Sequence, residues 1–251
     1  MSAVSKAHAA GFIRLRQEGR TEEVVRRLIE VIDLGLLAEG EQLPSESELA
    51  MQLGVATVTL REALAVLRQR GLIETRRGRN GGSFICAPVE MPEDFLLQRL
   101  EEMSALELRD LGDEMMAISG MAARLAAQRS TAEHHERLLH YVETLGVASS
   151  RLERRRADAR FHIEIAVAAQ SVRLTHAEMQ LQAELGELLW IQADGVADVA
   201  TIQQEHRTIL DALVAGDANL AGALAEAHVA RGIKRLVNLR LALLAAGDEN
   251  E

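Results

Sequence analysis

Apolar residues recur at helical spacing near the start of the chain, over residues 21–37. They are Val24, Val25, Leu28, Ile29, Ile32 and Leu36. This spacing places them on one face of a helix and leaves the opposite face to polar residues. The pattern therefore predicts a first amphipathic helix. Residues 1–20 show no such periodicity, and we interpret them as an N-terminal arm.

Two shorter helices follow, separated by a turn. Ser45 and Glu48 form a capping-box pattern, in which each side chain satisfies a free amide at a helix start. The helix that begins there ends near Gly54, and the next one extends from about Thr57 to Gly71. The apolar face of this third helix consists of Leu60, Ala63, Leu64 and Leu67.

A hairpin is predicted directly after the third helix. Residues 73–76 and 83–86 have the character of two short strands, and the sequence GRNGG between them supplies the glycines that a tight turn needs. Two helices joined by a turn, with a helix before them and a hairpin after them, predict a winged helix-turn-helix domain. We assign it to residues 21–87.

The rest of the chain has a helical pattern only. Prolines at positions 88 and 92 mark a linker, which we place at residues 88–103. Breaks near residues 130, 149, 170, 195 and 216 then divide the pattern into six or seven helices. The prediction is an all-α helical bundle over residues 104–245, so the fold class is mainly α with one small β-hairpin.

The composition of the 251-residue chain fits two domains without a membrane segment. Aromatic residues are only 2%, so the cores must be built from aliphatic side chains. The single cysteine, Cys86, excludes an internal disulfide and fits a reducing compartment. Without an apolar run long enough for a secretory signal or a membrane span, we expect a cytoplasmic protein with no membrane partner.

Charge is distributed unevenly along the chain. The net charge is −10, yet residues 57–87 contain six arginines and two glutamates. Because physiological salt screens charges beyond roughly 8 Å, a local basic patch can bind phosphates on an otherwise acidic protein. In a winged helix-turn-helix the second helix of the pair enters the major groove of double-stranded DNA. The basic stretch coincides with that helix and with the hairpin.

Several residues of this stretch are candidates for DNA contact. Thr57, Thr59 and Arg61 lie at the start of the third helix, and either a phosphate or a base edge could be the partner of each. The hairpin arginines, Arg76, Arg77 and Arg79, could follow the DNA backbone or enter the minor groove. The alternative is that these arginines form a solvated basic face of a helical bundle.

The order of four motifs favours DNA binding. The sequences LPSESELA, LGV, TLREAL and GLIETRRGRNGGSFI follow one another within residues 43–85. This run resembles the DNA-binding domain of the GntR family of bacterial transcription regulators, whose pattern is close to LPSERELA…LGVSRxxVREAL…GL…rrGxGtfV. The resemblance implies DNA contact by Ser47, Thr57, Thr59, Arg61, Arg76, Arg77, Gly78 and Arg79.

Two departures from the family pattern fall on DNA-contacting positions. Ser47 and Thr57 stand where the family usually has arginine, whereas Arg61 is retained. A bidentate arginine discriminates between bases by roughly 1–3 kcal/mol. We therefore expect a base preference different from that of the family's relatives.

Four side chains of the helical region are candidate metal ligands. Asp158 and His162 are four residues apart and so share one helix face, while His206 and His228 lie in two later helices among apolar residues. Three imidazoles and one carboxylate suit a divalent ion such as Zn, Mn or Ni. From spacing alone, the more common arrangement is a solvated or hydrogen-bonded Asp–His pair and two core histidines without a metal.

A second resemblance favours the metal. The motifs GMAARLAA, DARFHIEIA, EHRTILDAL and AHV resemble the FCD ligand-binding domain of the FadR-type branch of GntR regulators, over residues 104–245. The resemblance implies a metal held by Asp158, His162, His206 and His228. In an octahedral site two positions would remain free for water or for a carboxylate effector, so a small organic acid is expected.

Other positions differ from the FCD pattern or have no role in it. Methionines at 115 and 116 stand where the family often has an arginine that helps to fix the effector, which predicts a more apolar pocket. Gln170 and Ser171 stand where it often has asparagine. The remaining histidines are interpreted as surface or internally satisfied residues: His134, His135, His140 and His176.

The combined hypothesis is a metabolite-responsive transcription regulator. It would bind a pseudo-palindromic operator as a homodimer, with the effector releasing it from DNA, so that it acts as a repressor. One alternative is a metal-dependent enzyme with a DNA-binding appendage, but we find no general base paired with a nucleophile and predict no enzyme activity. A second alternative is a regulator whose metal is purely structural.

Overall fold

The computed structural model describes residues 19–78, 81–87, 90–191 and 199–248. The chain divides into two compact units, Met1–Val89 and Glu90–Glu251.

Three helices form the body of the first unit. They are α1 (Arg20–Asp33), α2 (Glu46–Leu53) and α3 (Thr57–Gln69). Their buried faces carry the apolar residues that the periodicity predicts, which confirms all three helices. The side chains at the centre of this core are Val24, Leu28, Leu49, Leu53, Leu60, Leu64 and Leu67.

The ends of α2 have the predicted chemistry. The Ser45 amide donates to Glu48 Oε2 at 3.0 Å, and the Glu48 amide donates to Ser45 Oγ at 3.3 Å, so the capping box is present. Gly54 ends the helix with a φ of 67°, a left-handed conformation that favours glycine. This turn sets the direction in which α3 leaves α2.

The wing is a two-stranded antiparallel hairpin with an added edge. Strands β1 (Ile73–Arg76) and β2 (Gly82–Ile85) pair in a register that joins Ile73 to Ile85. The segment before α2 pairs with the outer side of β2 through a bridge between Gln42 and Phe84. The sequence pattern placed β2 one residue later and did not predict the bridge, because a single pairing residue has no periodicity.

The second unit is all α-helical in the part of the chain that the structure describes, as predicted. Its helices are α4 (Glu93–Glu102), α5 (Ala105–Arg129), α6 (Ala132–Val147), α7 (Arg151–Ala168), α8 (Val172–Leu189), α9 (Val199–Val214) and α10 (Ala218–Asp248). Serines cap several starts: the hydroxyls of Ser104, Ser150 and Ser171 accept amide hydrogen bonds at the first turns of α5, α7 and α8.

The assignment of residues 88–103 to a linker needs a correction. Most of this segment is helix α4, and its Leu96 and Leu100 are buried in the core of the second unit, together with Met103. Leu96 and Leu100 are four residues apart and share one helix face, which explains the packing. The described boundary between the units lies at residues 89 and 90.

Close packing of α5 against α10 forms one side of the bundle. Side chains of one helix lie over glycines of the other: Arg124 over Gly222 and Glu226 over Gly120, with Arg124 and Glu226 also paired to each other. From Ala157 to Ala168 helix α7 is buried or partly buried on every face, with Phe161, Ile163 and Ile165 among its core residues. A helix enclosed in this way is central to the bundle.

No single helix within the described ranges is long and apolar enough to cross a membrane. Helices α2 and α3 together have the length and apolar composition of a membrane span, but the chain bends by 106° at the break between them. In the structure these two helices form the helix-turn-helix.

Candidate metal centre and nucleic-acid interface

The central helix α7 carries two of the four predicted metal ligands. Asp158 and His162 are one turn apart, and both side chains are buried. The Oδ1 atom of Asp158 lies 3.8 Å from Nε2 of His162. The spacing of four residues therefore produces the shared face that the sequence predicts.

Helices α9 and α10 bring the other two predicted ligands to the same place. His206 is fully buried and His228 is 8% exposed. One donor atom from each of Asp158, His162, His206 and His228 lies within 4.8 Å of the others. We call these four residues the ligand cluster.

The donor atoms of the ligand cluster face one another. His206 Nε2 lies 3.2 Å from Asp158 Oδ1, and His162 Nε2 lies 3.2 Å from His228 Nε2. Two ligands that are each about 2.1 Å from one shared ion would be about 3.0–3.4 Å apart. The closest distances within the cluster therefore fit a divalent metal.

The protonation states suit the same role. Burial lowers the pKa of all three histidines, that of His162 to about 4. Burial acts to raise the pKa of the Asp158 carboxyl, but the contact with His206 and the electrostatic interactions with the three histidines lower this pKa by more. At neutral pH the cluster therefore holds neutral imidazoles and an ionised carboxylate, which are the forms that bind metals.

His206 provides a further test of the fit. Neither of its ring nitrogens makes a hydrogen bond with good geometry to any described residue, although both are buried. Its ring stacks on Phe161, with 4.0 Å between centroids. A buried polar atom without a partner costs about 1–3 kcal/mol. Asp158 Oδ1 is 3.2 Å from Nε2 of His206 but makes no well-directed hydrogen bond with it, and a cation among the four donors would give Nε2 a better partner.

Residues outside the cluster orient its ligands. The indole Nε1 of Trp190 donates to Asp158 Oδ2 at 3.1 Å, which leaves Oδ1 toward the histidines. Glu205 Oε2 lies 2.6 Å from Nδ1 of His228, and Arg231 donates to the other oxygen of Glu205 at 2.6 Å. Such partners hold the ring orientation of metal-binding histidines.

The sequence analysis did not identify these three outer residues. Trp190 is the only tryptophan in a chain poor in aromatic residues, and Glu205 directly precedes His206. Both features can be read from the sequence, but the sequence does not show that Trp190 contacts Asp158 or that Glu205 contacts His228.

The remaining histidines do not join the cluster. His134 lies in the first turn of α6, where its Nδ1 accepts from the Thr131 amide at 2.9 Å. His135 contacts Ser130 at 2.7 Å through its Nε2. The cluster found among the described residues contains neither His140 nor His176.

The candidate DNA-contacting residues of the helices are on the surface of the first unit. Thr57 and Arg61 are exposed at the start of α3, and Thr59 is partly exposed. The preceding Ala56 offers no side-chain cap, so amides of the first turn of α3 remain for another acceptor. Ser47 is also exposed, in the first turn of α2.

Arg61 already has a partner in this structure. Its Nε donates to Glu46 Oε2 at 2.6 Å, while its side chain is 67% exposed. An ion pair this exposed contributes about 0–1 kcal/mol, so a phosphate or guanine can replace the carboxylate at little cost. Arg61 is therefore accessible despite the pair.

The wing arginines differ in how firmly they are held. Arg76 pairs with Glu74 on its own strand, and its guanidinium carbon lies 4.3 Å from the ring centroid of Phe84. Arg77 and Gly78 are exposed at the end of β1. Arg79 lies outside the described residues.

Two family profiles match the chain. The profile described as bacterial regulatory proteins, gntR family, matches residues 20–84, and that of the FCD domain matches residues 110–231. The first match begins one residue before the predicted domain of residues 21–87, and the second lies inside the predicted range of residues 104–245.

Relatives match over most of the chain. It is 39% identical over 226 residues to a Mycobacterium gastri protein named as the HTH-type transcriptional regulator RmpR. The match covers 89% of this chain and 82% of the relative. It is 33% identical over 228 residues to an Escherichia coli K12 protein named as the L-lactate dehydrogenase operon regulatory protein, with 83% of each chain covered. The solved structure of E. coli McbR/YncC is similar in fold, with a TM-score of 0.51 at 20% identity over 88% of this chain and 99% of that one.

Proposed function

The chain belongs to the GntR family of bacterial regulatory proteins, with an FCD domain after its winged helix-turn-helix, and we propose that it is a metal-dependent, acid-responsive repressor. In this proposal a small organic acid binds beside a divalent metal in the helical domain and releases the protein from its operator. The observation that carries the proposal is the buried ligand cluster, because its four donors converge within 4.8 Å in a domain without another evident use for them.

The family membership decides between the regulator and the enzyme. The family and the matched relatives are transcriptional regulators, which confirms the prediction that the chain is not an enzyme and excludes the alternative of a metal-dependent enzyme. DNA binding and transcription regulation are therefore the established starting point.

DNA contact is proposed for the exposed face of the first unit. Thr57, Thr59 and Arg61 at the start of α3 would contact base edges or phosphates, because the first residues of a recognition helix reach the floor of the major groove. Ser47 would contact a phosphate from α2. The wing would add backbone contacts through Arg76, Arg77, Gly78 and Arg79.

The metal would be held by Asp158, His162, His206 and His228. Nitrogen-rich ligands with one carboxylate suit Zn, Mn or Ni. When bound, a divalent ion makes the cluster a binding place for an anionic group on its open side. The chain's own contribution is to hold the His228 imidazole in place through Glu205 and the Asp158 carboxylate in place through Trp190.

A small organic acid is proposed as the effector. Asp158, His162 and His228 line a cavity beside the cluster, so a bound molecule could reach its open side. The name of the E. coli relative refers to an L-lactate dehydrogenase operon, which is consistent with control by a small acid. To act as a switch, the acid must bind one arrangement of the protein more tightly than the other.

Assembly and location complete the proposal. A homodimer would place two recognition helices on the two half-sites of a pseudo-palindromic operator. We place the protein in the cytoplasm, where bacterial DNA is found and where the single Cys86 would remain reduced.

Operator binding is the first test. Purified protein is titrated into a duplex from its own upstream region and into a scrambled duplex, at about 150 mM salt because phosphate contacts alone give salt-dependent affinity. We expect roughly a thousandfold preference for the native duplex. Arg61→Ala should abolish most of this preference, whereas Arg70→Ala, an equal charge loss at the far end of α3, should not. Equal weak binding to both duplexes would contradict specific recognition of this promoter.

The competing possibility is a metal that only holds the bundle together. His206→Ala separates the two, with circular dichroism, metal content and operator release by a panel of small acids as readouts. Loss of metal and of acid response with the helical content intact supports sensing. Global unfolding, with wild-type stability unaffected by acids, supports a structural metal.

A further inference from the structure

One positively charged side chain lines the cavity beside the ligand cluster. The cavity has a volume of about 20 Å³, and Asp158, His162 and His228 form one wall. Met115 and Ile202 contribute to its apolar walls. Arg235 of α10 is the cation that lines it, so the cavity has metal-type ligands on one side and a guanidinium on another.

The position of Arg235 on α10 aims it toward the cluster. Arg235 lies seven residues after His228, which puts both on the same helix face. Gly232 lies between them, and a Cβ atom added there would be 3.8 Å from Arg235 Nη2 and 3.1 Å from Leu189 Cδ2. The guanidinium thus extends over the turn that precedes it, in the direction typical of helical side chains. The missing side chain of Gly232 leaves room for it.

The charge of Arg235 is not neutralised by its neighbours. The side chain is partly buried, and no ion pair or hydrogen bond joins it to the described residues. Arg231, one turn earlier, differs because Glu205 accepts a hydrogen bond from it. A partly buried guanidinium without a counter-ion, at the edge of a cavity, is suited to bind a carboxylate through two parallel hydrogen bonds.

We propose that Arg235 binds the carboxylate of a short-chain monocarboxylic acid in this cavity. This inference rests on the proposed function and names the class of its effector. Arg235 is the only cation among the described residues that line the cavity, and the cavity is too small for an acid that carries a second carboxylate. The volume is enough for about one water molecule. An acid of two or three carbons therefore needs a movement of the lining, for which the unbranched side chain of Met115 is suited, and a longer chain needs a larger movement.

The test is calorimetric titration of the metal-loaded, full-length protein. The probes are acetate, glycolate, L-lactate and butyrate, with acetamide and lactamide as uncharged analogues. We expect at least one acid to bind and its amide not to bind. Arg235→Gln should weaken that acid by about tenfold or more, because it removes a charged hydrogen-bond partner.

Controls keep the result specific to Arg235. Lys234→Gln removes the same charge from the adjacent, exposed position and should leave acid affinity unchanged. Metal content, measured by mass spectrometry, should be the same in the wild type and both variants, since neither residue belongs to the ligand cluster.

Three results would overturn the inference: no acid of the panel binds, the amides bind as tightly as the acids, or Arg235→Gln binds the acid as tightly as Lys234→Gln does. Failure of the proposed function looks different. In that case the wild type retains no metal, or it binds the acid in an Arg235-dependent manner without any change in operator affinity.

Discussion

Glu205 Oε2 lies 2.6 Å from Nδ1 of His228, and this contact determines which nitrogen of His228 faces the ligand cluster. Burial acts to raise the pKa of the Glu205 carboxyl, but its hydrogen bonds and charge interactions with His228 and Arg231 lower the pKa to about 2. Glu205 is therefore ionised at neutral pH and accepts the Nδ1 proton. The lone pair of Nε2 then points toward His162, from which it is 3.2 Å away.

The first prediction follows from this orientation. Glu205→Gln should weaken metal binding by about 10- to 100-fold, the usual effect of removing a partner that orients a metal-binding histidine. The measurement is competition for Zn against a chromophoric chelator. Asp211→Asn is the matched control, since it removes one charge from an exposed site on the same helix. Equal Zn affinity for both variants would show that Glu205 does not orient His228.

The second prediction concerns the pair between Arg61 and Glu46. In DNA complexes Glu46 would compete with phosphate for Arg61 and repel the DNA backbone. The exposed ion pair itself stabilises the fold by only about 0–1 kcal/mol. Glu46→Gln should therefore raise operator affinity by roughly two- to fivefold, about 0.4–1 kcal/mol. The thermal midpoint should change little.

Fluorescence anisotropy with the native duplex measures this change, and Glu39→Gln serves as a control on an exposed acid of the same unit. A loss of affinity in Glu46→Gln would show instead that Glu46 positions Arg61 for DNA. Adding Arg61→Ala to Glu46→Gln distinguishes the two cases, because any gain that depends on freeing Arg61 then disappears.

The third prediction separates two wing arginines. Arg77→Ala should reduce the salt dependence of DNA binding by about one phosphate contact and leave stability unchanged. Arg76→Ala should reduce both, because it also removes the contact with Phe84, worth about 0.5–1 kcal/mol at an exposed site. Affinity measured across a salt series and thermal unfolding provide the two readouts. A stability loss in Arg77→Ala equal to that in Arg76→Ala would contradict the distinction.

Local chemistry explains what the sequence could predict about this fold and site. The capping box at Ser45 and the shared face of Asp158 and His162 depend on residues within one helical turn, so spacing alone is enough. The approach of His206 and His228 was predicted only by resemblance to the FCD domain. Contacts between distant residues leave no periodic pattern, which is why Trp190, Glu205 and Arg235 were not identified before the structure was known.

The last prediction concerns Glu178, a fully buried carboxyl on α8. Ser119 Oγ donates to it at 2.8 Å and Gln182 Nε2 at 2.9 Å, and no ion pair between described residues includes it. Burial is the main cause that raises its pKa. The folded state therefore prefers the protonated form of Glu178. The stability that this preference contributes is fully present below the pKa of the carboxyl in the unfolded chain, and it is lost as pH rises through the pKa in the folded state.

Glu178→Gln should remove this loss, because an amide keeps both hydrogen bonds without a charge. We expect the variant to be more stable than the wild type at pH 8, by on the order of 1 kcal/mol, and the difference to shrink at pH 4.5. Urea unfolding of the metal-free proteins at both pH values measures it. Glu184→Gln, at an exposed position of the same helix, should show no such pH-dependent gain. A variant less stable than the wild type at pH 8 would mean that the ionised carboxylate of Glu178 stabilises the bundle.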